Sequence, residues 1–326
     1  MVRVGVIGTG GMGNGHCNSL PNVKNCEFVG VADLRLEAAQ AAAERHQVRA
    51  FQDFHALLDI VDAVVVATPP MMHREVVVAA AEAGVHAFSE KPLSLTLADA
   101  DAMIDAADKA GTHLMVGQVL RFYPVHRLGK QLVDDGEIGD VVYIETDYSG
   151  VYNAARERPS TWYGTVGGLL ENGIHKSDLI NWFGGTALTV AAEVDSFSGN
   201  EDWEDYTVSL IRYDTKAVGI LRWGGFMGAR GTTDTIIDGT EGSLRLDMGV
   251  DLAYHKKIGE SDWTTLTPDR ETPHGVVGEL THFVDCIRDG KTPLVDGVAG
   301  RRAVEVVLAT YRSAKEGSKV TLPIHD

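Results

Sequence analysis

Hydrophobic positions in the first third of the chain come in short unbroken runs, and between them apolar residues recur at helical spacing. Val2–Gly8, Glu27–Asp33, Ala63–Thr68, His86–Glu90 and His113–Val119 are near-continuous apolar segments, the pattern of parallel strands covered on both faces. Alanine-rich segments at Leu36–Gln47, Arg74–Ala83 and Ala98–Ala110 separate them. Strand, helix, strand at this spacing predicts an α/β fold whose residues 1–120 form a doubly wound parallel sheet of the Rossmann type.

Residues 121–326 read differently. Val141–Gly150, Thr189–Ser198, Tyr206–Tyr213, Ala217–Gly225 and Thr232–Asp238 are strand-like runs without helices between most of them. That succession predicts a second α/β domain built on a largely antiparallel, open sheet. Flanking helices are expected at Pro124–Asp134, Gly173–Phe183, Gly278–Asp289 and Val298–Glu316. The last helix returns after the strands, so it can pack on either domain.

Composition narrows the partners. With 29 basic and 46 acidic side chains the formal charge is −17. Phosphate contacts to nucleic acid need clustered Lys and Arg, so a nucleic-acid partner is excluded. An anionic cofactor is not, because backbone N–H groups can hold one locally. No apolar run approaches the ~20 residues of a membrane span. The three cysteines, Cys17, Cys26 and Cys286, form neither a disulfide framework nor a C-x-x-C metal pair. No metal is expected, and with no targeting segment at the N-terminus a cytoplasmic location is. Glycine is enriched, at 36 of 326 residues, against a usual share of roughly 7%, which directs attention to turns where backbone must approach something closely.

One such turn is Gly8-Thr9-Gly10-Gly11-Met12-Gly13, a G-x-G-x-x-G match directly after the first predicted strand and opening a helix. Asp33 ends the next strand, 33 − 13 = 20 residues after the last glycine. This is the context that the dinucleotide fingerprint requires. The glycines permit the tight turn, and the helix N-terminus offers N–H groups to a pyrophosphate. Asp33 would accept hydrogen bonds from ribose hydroxyls and repel a 2′-phosphate, which favours NAD over NADP; Arg35 softens that choice. Thr68, Pro69 and Pro70 follow a buried strand, where ligands sit in such sheets. A rigid strand-to-helix connection fits their spacing equally well. Lys91 comes at the end of the next strand, held extended by Pro92. By itself it also reads as a surface lysine paired with Glu90.

These segments together resemble the glucose–fructose oxidoreductase/inositol dehydrogenase family. The resemblance rests on Gly8–Gly13, Ala67-Thr68-Pro69-Pro70 and Glu90-Lys91-Pro92, and continues through Gly117-Gln118-Val119-Leu120-Arg121-Phe122 and Gly167-Gly168-Leu169-Leu170-Glu171-Asn172-Gly173-Ile174-His175. Gly278–Asp289, Asp296–Gly317 and Val320-Thr321-Leu322-Pro323 carry it to the C-terminal end. It implies hydride transfer between a nicotinamide and a carbinol of a sugar, inositol or related polyol, with Lys91 on the family's catalytic lysine. It also implies that His73, Glu90, Lys91 and Gln118 line the cofactor, and that the C-terminal sheet makes a homodimer or homotetramer.

Glu171 and His175 are four apart and Asp178 three further on, so a helix from Glu171 would set all three on one face. Gly173 weakens that assumption. A solvated pair is the plainer reading of an acid and a His so spaced, and the family resemblance turns it into a substrate site. The family more often has Asp where this chain has Glu171, so the acid's geometry differs. Alcohol oxidation needs a base for the hydroxyl proton, and an imidazole titrating near 6.5 suits it. His175 is therefore the candidate base, Lys91 the group that stabilises alkoxide charge, and Glu171 the residue that orients the imidazole. Which of Lys91 and His175 takes the proton first stays open. Arg121, Tyr123, Tyr152, Asn153, Arg158, Trp162 and Asp178 are candidate substrate contacts. Two other functions fit the same motifs: a lyase or glycosidase that oxidises its sugar transiently on bound NAD, and a non-catalytic NAD-binding sensor.

Overall fold

The computed structural model describes residues 1–150, 166–197, 203–225 and 234–324. The chain forms two compact units: Met1–Val119 with Thr272–Arg301, and Leu120–Glu271 with Arg302–Asp326. The segment after residue 271 thus divides, with its first part clustering with the N-terminal unit, whereas a single cut at residue 120 assigns all of it to the second.

In the first unit, strands β1 (Val2–Ile7), β2 (Cys26–Ala32), β3 (Arg49–Phe51), β4 (Ala63–Val66), β5 (His86–Ser89) and β6 (Leu114–Val116) form one parallel sheet in the order β3-β2-β1-β4-β5-β6. That is the order of a dinucleotide-binding doubly wound sheet. Its inner strands are apolar on both faces because helices cover both: Val64, Val65 and Val66 are fully buried. The helices are α1 (Gly11–Ser19), α2 (Leu36–His46), the single turn α3 (His55–Leu58), α4 (His73–Glu82) and α5 (Leu97–Ala110). Thr96 caps α5 by accepting the Asp99 N–H at 3.1 Å, while Gly111, left-handed at φ +67°, ends it.

The second unit is built on a nine-stranded sheet whose described strands are β7 (Val141–Ser149), β8 (Ala187–Asp195), β9 (Tyr206–Tyr213), β10 (Val218–Gly224), β11 (Thr235–Gly239), β12 (Gly242–Asp247), β13 (Leu252–Lys257), β14 (Thr264–Leu266) and β15 (Val320–Thr321). The order is β14-β13-β12-β11-β7-β10-β9-β8-β15, antiparallel except for the parallel pair β7 and β10. Among the described residues, helices pack on one face only. Along β9 the side chains alternate accordingly, with Ile211 fully buried and Leu210 48% exposed. Helices α6 (Pro124–Asp134) and α7 (Ile174–Gly184) belong to this unit, α8 (Gly275–Asp289) to the first, and α9 (Gly297–Glu316) contributes to both.

Five of these strands are absent from the hydrophobic pattern. β3 and β14 have three residues each and β15 two, too few to show a period. β13 (Leu-Ala-Tyr-His-Lys-Lys) is too polar to stand out in a window, yet its Ala253 is buried. β12 is likewise revealed by its burial, with Leu244 and Leu246 inward and Arg245 outward.

Candidate functional site

The N-terminal unit brings three loops together at the carboxyl ends of β1, β4 and β5. Gly8 has φ +91°, and a Cβ there would lie 2.7 Å from the Ala67 carbonyl oxygen; at Gly13 it would lie 1.8 Å from the Gly8 carbonyl oxygen. Only glycine permits loop and helix to lie this close. Gly10 and Gly11 are different, since a Cβ there meets nothing within 4 Å. The turn is therefore packed tightly behind and open in front. No described side chain caps α1 and no acid occupies its first turn, so its first N–H groups are left to that open side. Met12, 46% exposed, lies on the same stretch.

Asp33 is held in place beside this turn. Its carboxylate accepts from Thr9 N at 2.9 Å, Thr9 Oγ1 at 2.8 Å and Arg35 N at 2.9 Å. Burial pushes this carboxyl up, and the bonds from Thr9 and Arg35 outweigh it and hold it below the usual range. Three bonds leave about one of its four acceptor positions for a ligand hydroxyl. The Arg35 side chain is 73% exposed and 3.5 Å from Asp33. An open glycine cradle beside a fixed carboxylate fits a pyrophosphate and an adjoining ribose diol.

His73 has another task. It is fully buried, with Nε2 3.0 Å from the Thr68 carbonyl oxygen and Nδ1 3.1 Å from that of Leu93. The ring lies between two backbone carbonyls and, with burial keeping it neutral, donates to one of them, so His73 ties the Thr68-Pro69-Pro70 loop to the Lys91-Pro92-Leu93 loop. Glu90 is also buried. Its Oε1 lies 2.6 Å from His16 Nε2 and its Oε2 accepts the Lys91 N–H at 3.0 Å. Glu90 N in turn donates to the Val66 carbonyl at 2.9 Å. Lys91 is thus fixed through its backbone just past the carboxyl end of β5, and its side chain is partly exposed. Gln118, 1% exposed, is the second residue after β6.

The second unit supplies the other candidate residues. Leu169–Gly173 is a π-helical turn that leads directly into α7. Gly168 and Gly173 lie against Trp223, where a Cβ at Gly168 would meet the indole at 2.0 Å. A wide turn at this point changes the spacing on which a shared Glu171–His175–Asp178 face depends. Along Ile174–Ile180 every residue is buried except His175, which is partly exposed. Its partly exposed position sets it apart within this first stretch of α7.

Asp178 and Arg121 are not so available. Arg121 Nε and Nη2 donate to Asp178 Oδ2 and Oδ1, both at 2.7 Å, with side chains 7% and 1% exposed. The guanidinium also lies over the Trp182 ring, 5.2 Å from its centroid. Expected as substrate contacts, the two instead form a buried bidentate pair that anchors α7 to the segment Val119–Phe122. Glu171 is buried, and its charge, like that of Tyr123, raises the pKa of Tyr148, after the larger effect of burial. Tyr148 therefore stands near two candidate residues, a placement that no motif in β7 signals. On the enclosed side of α7, burial drives the Lys176 ammonium down to about 7 against the opposing charges of Asp234 and Asp147. Tyr152, Asn153, Arg158 and Trp162 lie outside the described residues.

Among the described residues no helix is long and apolar enough to cross a membrane. Residues 2–118 match the family model described as an oxidoreductase family with an NAD-binding Rossmann fold, and residues 130–322 match that of the same family's C-terminal alpha/beta domain. The D-apiose dehydrogenase of Paraburkholderia graminis is 27% identical over 332 residues, covering 97% of this chain and 88% of the relative. The scyllo-inositol 2-dehydrogenase (NAD(+)) of Bacillus subtilis is 28% identical over 337 residues, covering 99% and 97%. A solved levoglucosan dehydrogenase in complex with NADH and levoglucosan superposes with a TM-score of 0.90, at 24% identity, over 99% of this chain and 100% of that one. The glycine turn with its carboxylate, the strand order and both halves of the chain lead to one assignment: this protein is an NAD-dependent oxidoreductase of the Gfo/Idh/MocA family.

Proposed function

We propose that the protein oxidises a carbinol of a sugar, inositol or related polyol with NAD, and that Lys91 and His175 carry the proton and charge chemistry. The carrying observation is that Lys91 is fixed through its backbone at the carboxyl end of the nucleotide-binding sheet. When bound, the nicotinamide accepts or returns hydride. This chain's own residues do the rest. Lys91 donates a hydrogen bond to the reacting oxygen and stabilises the negative charge that develops there. His175, partly exposed on the first turn of α7, exchanges the hydroxyl proton. Glu171 orients the imidazole, and Tyr148 and Tyr123 present phenols to the substrate. Asp33 discriminates against a 2′-phosphate.

A panel of aldoses, alditols and inositols offered with NAD or NADP tests this reading. The expected result is appearance of the reduced-nicotinamide absorbance with at least one member, at a higher kcat/KM with NAD. Substrate consumption without any net change in that absorbance would instead establish transient oxidation, and inactivity on the whole panel would leave the sensor reading.

The sheet face that no described helix covers supports a homodimer or homotetramer. Leu210 on β9 is directly opposite Ile220 on β10, with Ala191 of β8 beside Leu210 and Glu145 of β7 between Ile220 and Ile236. Exposed apolar side chains of this kind support an association surface. Leu210→Glu is expected to shift the sedimentation coefficient from that of the oligomer to that of the monomer. Three free cysteines, two of them buried, support a reducing, cytoplasmic setting.

A further inference from the structure

Behind the Lys91 loop lies a buried cluster that the proposed chemistry does not use. His16 on α1, Glu90 after β5 and Glu279 on α8 come from distant parts of the chain. Their ligand atoms lie within 4.8 Å of one another, and all three residues are buried. Among the described residues, His16 Nδ1 and Glu279 Oε2 have no hydrogen-bond partner. Since Nδ1 meets no acceptor, the ring proton belongs on Nε2, where it donates to Glu90 at 2.6 Å. That separation is a direct hydrogen bond, shorter than two ligands of one metal ion would adopt. The cluster is therefore built for a proton rather than a cation.

Two carboxyl groups enclosed together cannot both ionise. Glu90 has the better claim to the charge. It receives His16 and the Lys91 N–H, and burial, which pushes it up, is outweighed by His16 and by the charge of Lys91. Glu279 has no such support, so burial, and then the charge of Glu90, raise it well above the carboxylate range. The other elements packed on α8 add little. β1 carries only Arg3, ion-paired with Asp62 at the surface, the turn Leu20–Asn22 has no charged residue, and α1 adds the buried thiol of Cys17.

We propose that Glu279 is a positioning residue for Lys91: by keeping its proton it leaves one negative charge on the His16–Glu90–Glu279 cluster, carried by Glu90, which holds the Lys91 backbone and attracts its ammonium. This rests on the assignment of Lys91 above, but its first readouts do not involve turnover, so the two can fail separately.

Folded Glu279 keeps its proton at pH 6–8 whereas the unfolded chain loses it, so unfolding releases a proton and wild-type stability falls as pH rises. Glu279→Gln removes that dependence. The melting-temperature difference between E279Q and wild type is expected to widen in favour of the variant by on the order of 5 °C from pH 6 to pH 8. The wild-type infrared spectrum is expected to show the C=O stretch of a buried protonated carboxyl throughout this range. A difference that does not change with pH, or a wild-type spectrum without that band, overturns the proposal.

The link to Lys91 is read from pH profiles. Glu90→Gln is expected to lower kcat by about 10–100-fold at pH 6 and to recover part of this as the pH rises, because Glu279 then ionises in place of Glu90. The double variant E90Q/E279Q keeps the full deficit at every pH. Superimposable profiles for E90Q and the double variant would show that Glu279 does not act on Lys91.

Discussion

Replacing Lys91 by alanine is expected to lower kcat by about 10²–10⁴-fold, the usual contribution of one positioned acid–base or charge-stabilising group, equivalent to about 3–5 kcal/mol of barrier. The loss falls on kcat because the lysine's partner is charge that appears only as the hydroxyl proton leaves. Affinity for NAD, measured by titration of the reduced cofactor's fluorescence, should stay within a few-fold of wild type. The reason is structural: the glycine cradle and Asp33 are held by Thr9, Arg35 and the Gly8–Ala67 approach, none of which involves the Lys91 side chain. Turnover within a few-fold of wild type would remove Lys91 from the mechanism.

The second large effect concerns stability. Arg121→Ala is expected to destabilise the protein by about 3–5 kcal/mol near neutral pH, the cost of leaving one partner of a buried ion pair alone. Burial already pushes the Asp178 carboxyl up, with Arg121 opposing it. Without the guanidinium the carboxyl is raised further. A carboxyl raised in the folded state contributes stability at low pH and loses it as pH rises, so the variant should be closest to wild type at about pH 5 and furthest from it near pH 8. Urea denaturation at the two pH values measures this. A substrate-binding arginine would instead raise KM and leave the denaturation midpoint in place.

This pair shows where reading along the chain stops. Arg121 and Asp178 are 57 residues apart, and each by itself is a polar residue in a plausible place. That they neutralise one another is a fact of packing. His73 follows the same rule: beside the Thr68-Pro69-Pro70 loop it reads as a cofactor contact, but its ring lies between two backbone carbonyls from separate loops. Glu279 sits on an amphipathic helix like any other acid, and only the meeting of α1, α8 and the Lys91 loop makes its position costly for a charge.

Much was nevertheless local. The parallel sheet was legible because strands buried on both faces must be apolar throughout. The glycine turn was legible because a strand, a tight turn and a helix N-terminus occupy consecutive residues. The place of Lys91 followed from its lying next to a strand end. By itself, then, the sequence determined the class of the nucleotide-binding half, the glycine turn and the place of Lys91 after a strand, since each depends on neighbours within a few residues. Tertiary structure alone decided which polar residues stay free for a ligand. Whether a side chain is spent on an ion pair, a carbonyl or a shared proton depends on partners brought from tens to hundreds of residues away, and spacing along the chain carries no record of them.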